Sequence, residues 1–94
     1  MHKKERLAAL RSMLLSMEHE VGLDALSEGQ RDIYYAACLS ANNQYMVQSD
    51  DLRNHPMLNR IPRSTFFRLL RELVSCGYLA PTGSPRSGQY VIKR

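Results

Sequence analysis

This 94-residue chain has little of what marks exported, membrane-bound or catalytic proteins. No apolar run approaches the roughly 20 residues a membrane-spanning helix needs. The opening Met1-His2-Lys3-Lys4-Glu5-Arg6 leads into an amphipathic segment instead of a continuous apolar core, so secretion is not expected and the cytoplasm is. Cysteine is scarce. Cys38 and Cys76 both fall inside predicted helices, where such residues are expected to be small buried hydrophobes. His2, His19 and His55 are scattered, show no metal-ligand spacing with those cysteines, and read as surface groups. No nucleophile motif, phosphate-binding loop or paired His–carboxylate spacing occurs, so no enzymatic activity, cofactor or metal is expected. Repeats, low-complexity tracts and linkers are also missing, and the length suits a single core.

Acidic residues are nearly absent from one part of the chain. Residues 59–94 contain Glu72 alone against seven Lys/Arg, whereas residues 1–58 contain eight Asp/Glu against six Lys/Arg. The net charge of +4 therefore conceals a basic second part, which points to a polyanionic partner. The plain alternative is a solvated surface that happens to be basic.

Local patterns divide the chain into helices followed by a hairpin. Leu7, Leu10, Leu14, Met17 and Val21 recur at alternating spacings of three and four, predicting an N-terminal amphipathic helix from about Lys3 that stops at Gly22. Ser27 and Gln30 have capping-box spacing and open a second helix, with Ile33, Tyr34, Ala37, Cys38 and Ala41 as its apolar set and Asn42-Asn43 as its end. Tyr45-Met46-Val47 is short and β-prone. Ser49 is suited to cap a short helix beginning Asp50-Asp51-Leu52, and His55-Pro56 interrupts it.

Pro62 is expected in the first turn of a long helix over 62–76, ended by Gly77. Phe66, Leu70, Leu73 and Gly77 fall on a face that can enter a core; Arg63, Ser64, Phe67, Arg68 and Arg71 fall on other sides. Glu72 stands four residues after Arg68 and can pair with it. Two β-type runs, 78–82 and 89–93, then flank the turn-forming Gly83-Ser84-Pro85-Arg86-Ser87-Gly88, whose only charged side chain is Arg86. The fold class expected is mostly α with a small β-hairpin.

In this order, residues 27–94 resemble a winged helix-turn-helix domain of the kind found in MarR-like bacterial transcription regulators. The likeness rests on Leu26 to Ile33, on Met46 to Leu52, and on Ile61 to Leu70 followed by Leu73, Gly77, Tyr78 and Leu79. It departs in three places. The stretch from Leu52 to Ile61 is about three residues longer than in a compact motif of this class, Pro62 replaces the usual serine cap, and the C-terminal dimerisation helix of MarR regulators has no counterpart.

The resemblance implies double-stranded DNA as partner, with the helix over 62–76 in the major groove and the hairpin as wing. Arg63, Ser64, Thr65, Phe67 and Arg68 would then face the groove, Arg60 and Arg71 would meet phosphates, and Arg86 would enter the minor groove. Phe67 is read equally as a packing residue beneath 55–61. Residues 1–22 are either an intrachain strut or a homodimer interface formed by Leu7, Leu10, Leu14, Met17 and Val21, helped by contacts from Ile33 to Leu39. The alternative function is a protein-interaction module docking through that helix. No cluster of residues marks a pocket for a small-molecule effector.

Overall fold

The computed structural model describes residues 2–84 and 86–94; Pro85, in the expected hairpin tip, lies outside the described residues. The chain is mostly helical with one small antiparallel sheet. Helix α1 spans Lys3–Val21, α2 Glu28–Ser40, α3 Ser49–Arg53 and α4 Arg63–Ser75. The strands are β1 (Met46–Gln48), β2 (Leu79–Pro81) and β3 (Gln89–Ile92). They are ordered β1-β3-β2, so the expected hairpin gains a third strand from the short β-prone run.

Helix ends follow local chemistry where side chains can supply it. In the Ser27/Gln30 capping box the Gln30 N–H donates to Ser27 Oγ at 3.2 Å, and the Ser27 N–H donates to Gln30 Oε1 at 2.9 Å. At the end of α4, Gly77 has φ +87, and the Tyr78 N–H turns back to the Leu73 carbonyl at 2.9 Å. Two expected starts shift by one place. Ser49 does not cap α3 but is its first residue and is buried, because β1 runs on to Gln48 and the Ser49 N–H donates to the Gly88 carbonyl at 2.8 Å. Pro62 stands just outside α4, where its carbonyl accepts the Phe66 N–H at 2.8 Å.

The core joins Ile33, Ala36 and Ala37 of α2 to Phe66, Leu69, Leu70 and Leu73 of α4, closed by Leu52, Leu58 and the inner sheet face. That face carries Val47, Leu79, half-buried Tyr90 and Ile92, through the register Val47 opposite Tyr90 and Leu79 opposite Ile92. Full burial of a side chain such as Phe66 or Leu73 contributes about 1.5–3 kcal/mol against the entropy of ordering it. The long connection before α4 folds into a 3-10 turn at Pro56–Leu58, held by a Met57 N–H donated to His55 Nδ1 at 3.1 Å. That turn drives Leu58 into the core.

Several packing expectations are corrected. Leu69 is buried and Gly77 is exposed, since Gly77 lies past the last turn of α4. Cys38 and Cys76 are both exposed: α2 turns Ala36 and Ala37 inward and Cys38 outward, while Cys76 follows the final turn of α4. Helix α1 is no intrachain strut along its stripe. Leu7, Leu10, Met17 and Val21 are 64%, 59%, 59% and 69% exposed, and Glu18 is its one buried residue among those described. Ile33, expected to help a dimer contact, is fully buried, whereas Leu39 is exposed. Helix α1 projects from the body, and the molecule measures 50 × 26 × 26 Å.

Candidate nucleic-acid interface

Helix α4 separates two kinds of side chain. Phe66, Leu69, Leu70 and Leu73 are buried, and at 3.6 residues per turn the opposite face carries Ser64, Arg68, Arg71 and Ser75, all exposed. Arg60 and Arg63 are exposed at the approach to the helix. The Arg63 guanidinium lies over the Phe67 ring, 5.1 Å from its centroid. Phe67 in turn meets Phe66 edge-on at 5.1 Å and is half-buried against the core. It packs on the core through Phe66, with one side turned to Arg63. Thr65 is half-buried as well.

Arg68 is held by an array of polar contacts that reaches α2. Its Nη1 donates to Glu72 Oε2 at 3.1 Å, the i,i+4 pair expected. Glu72 Oε1 also accepts from Gln30 Nε2 at 2.8 Å, and Gln30 is the residue that closes the α2 capping box. The helix cap thus fixes the carboxylate that orients the arginine, leaving other guanidinium N–H groups free for an anion. Capping-box spacing identifies Gln30, but nothing local signals its contact 42 residues away.

Arg71 is exposed beside the hairpin. Together with Val74, Ser75, Pro81 and Tyr90 it lines a shallow cleft of about 320 Å³ between α4 and the hairpin. Helix and hairpin therefore share one surface at this point. At the tip, Arg86 is exposed and its backbone N–H donates to Ser84 Oγ at 3.1 Å.

Three further basic residues have positions that local sequence does not signal. The Arg94 guanidinium lies 3.9 Å from the centroid of the Tyr45 ring, on a residue whose φ is 63°. Arg53 at the end of α3 is half-buried, and its Nε has no hydrogen-bond partner among the described residues. Arg31 supports the base of α1, donating from Nη1 to the Leu26 carbonyl at 2.5 Å, with Nε 3.9 Å from Glu18 Oε2.

Where no pocket was expected, α1 and α2 enclose a cleft of about 210 Å³ lined by Arg11, Glu18, Glu28, Arg31, Asp32 and Tyr35 among others. Glu18 Oε2 accepts the Tyr35 hydroxyl at 2.5 Å. Partial burial, then this hydrogen bond, raises the Tyr35 phenol to about 12. Burial, then the neighbouring Glu28 carboxylate, raises Asp32 above its ordinary value.

Among the described residues, no group of three or more His, Cys, Asp or Glu could hold a metal ion, and no helix is long and apolar enough to cross a membrane. Compared with known proteins, the chain matches no family model, no curated protein and no solved structure.

Proposed function

We propose that this chain is a winged-helix protein that binds double-stranded DNA and regulates transcription in the cytoplasm of a bacterium, acting as a homodimer. The observation that carries this reading is the division of α4 into a buried apolar face and an exposed face bearing Arg68 and Arg71, with the hairpin alongside. The order α2, β1, α3, α4, β2, β3 and the sheet order β1-β3-β2 support it, being the sequence of elements a winged helix requires. A helix of this form fits the major groove; arginine forks suit guanine edges and phosphate oxygens, and exposed Ser64 in the first turn suits a phosphate. Exposed Arg86 is available for a minor groove beside the site.

Binding of random duplex DNA at two salt concentrations tests the proposal. Affinity should fall steeply with salt, and Arg68→Ala should weaken binding and lower the salt slope by about one. The exposed apolar stripe of α1 favours a second reading, a module that docks another protein through this helix. Lack of DNA binding at low salt would select it.

A further inference from the structure

Helix α1 is charged against its own dipole. Its first turn carries Lys3, Lys4 and Arg6 with Glu5, and its last turn carries Glu18 and Glu20 with His19, although a helix N-terminus favours anions and a C-terminus favours cations. Between these ends runs the exposed apolar stripe. At its base, Leu14, Met17, Glu18 and Val21 form four sides of a depression, completed by Leu23 and Tyr35, of about 200 Å³ and lined almost wholly by apolar surface. Positions i, i+3, i+4 and i+7 are those that surround a knob in coiled-coil packing.

We infer that α1 pairs with α1 of a second copy in antiparallel orientation, Leu7 of each helix entering the depression of the other. This deepens the homodimer in the reading above and does not depend on its DNA half. In the stagger that overlaps the whole helix, Leu7 stands opposite Met17, Leu10 opposite Leu14, and Met13 beside its own copy. The basic turn of each helix then lies against the acidic turn of the other, with Arg6 near Glu20, while Glu18 stays turned to Tyr35 and Arg31 of its own chain. Both reversed ends gain a complementary neighbour.

A parallel pair would bring the basic turns together and the acidic turns together, so charge selects the orientation that the apolar stripe leaves open. Arg11 recurs beside its own copy near the two-fold axis, but it borders the cleft that holds Glu18, Glu28 and Asp32 of its own chain, which offset the repulsion. The same charge pattern argues for a second copy over an unrelated docking partner, because this helix complements its own reverse.

Cysteine cross-linking in a full-length Cys38→Ser, Cys76→Ser background tests the pairing. An equal mixture of Leu7→Cys and Met17→Cys proteins should form a disulfide-linked dimer containing one of each. Either protein alone should not link, because like positions would stand about 15 Å apart at about 1.5 Å rise per residue, beyond disulfide reach. Sedimentation should show a dimer that Leu10→Glu halves in mass with helical circular dichroism retained. Linking of Leu7→Cys to itself, a monomer at every concentration, or a Leu10→Glu protein that stays dimeric would each overturn the inference. Duplex DNA binding on the same samples separates the two claims: a monomer with salt-sensitive DNA binding sinks the pairing alone, and a dimer without it sinks the DNA reading alone.

Discussion

Gln30 Nε2 and Glu72 Oε1 meet at 2.8 Å, tying the first turn of α2 to the last turns of α4. The contact joins a structural cap to the candidate DNA surface, because Glu72 also holds Arg68. Gln30→Ala should therefore cost about 1 kcal/mol through the cap, and somewhat more through the weakened Glu72 contact, read in chemical denaturation. In DNA binding, Glu72→Ala should act opposite to Arg68→Ala. Removing the acid beside Arg68 should tighten binding at low salt, and a titration showing weaker binding would contradict the proposed surface.

Glu18 and Tyr35 form the buried attachment of α1. Tyr35→Phe leaves the Glu18 carboxylate buried without its hydroxyl donor, at a predicted cost of about 1–3 kcal/mol. Hydrogen exchange should quicken along α1 more than in α4. A uniform change would show that α1 is not a separately attached unit. The phenol is raised in the folded chain, so its contribution is fully present below its unfolded pKa of roughly 10 and is lost as pH rises toward about 12. A spectrophotometric titration should show late-ionising tyrosine absorbance from Tyr34 and Tyr35, and Tyr35→Phe should remove its latest part.

Gly88 has φ +68, and a Cβ there would stand 2.9 Å from Ser49 Oγ. Gly88→Ala should lose about 1–2 kcal/mol to left-handed backbone strain alone, and the crowding of buried Ser49 should add to it. Since the Gly88 carbonyl accepts the Ser49 N–H, the variant should also loosen the hairpin from α3. Thermal melting with amide chemical shifts of residues 46–52 would check both effects.

His19 Nδ1, in the last turn of α1, and Asp24 Oδ2, in the turn that follows, are 2.7 Å apart on the surface. The hydrogen bond to Asp24 raises His19 above 6.5, and the same bond lowers Asp24 below 3.8. For the raised histidine, the contribution is fully present below its unfolded pKa and is lost as pH rises through the folded value. For the lowered aspartate, it is present above the unfolded pKa and is lost as pH falls through the folded one. NMR titration should place His19 above 6.5, and Asp24→Asn should return it toward that value.

The parts of this fold legible in the sequence are those decided within one or two turns. Ser27 and Gln30 disclose a cap because both partners lie in the same turn, Gly77 marks a helix end by backbone geometry, and Glu72 finds Arg68 one turn away. What lay hidden depends on distant neighbours. Cys38 belongs to an apolar set by composition, yet Ala36 takes the inward place because α4 packs so closely on α2. Ser49 looks like a cap until Gly88, 39 residues later, supplies the partner for its N–H. Leu69 is buried although its neighbours in sequence do not signal it, since a helix with apolar residues on adjacent positions does not itself say how wide its covered face is. Within the candidate site, helical spacing separated the exposed Arg68 and Arg71 from the core face, but the cleft that places Arg71 beside Tyr90 needed the tertiary fold.

Strand β3 lies between two strands that never touch each other. Until it arrives, β1 and β2 have no ladder to join, and β1 must wait for a partner more than forty residues along the chain. The sheet should therefore consolidate late, after the local contacts of the helices, because closing so long a loop costs entropy before any strand contact offsets it.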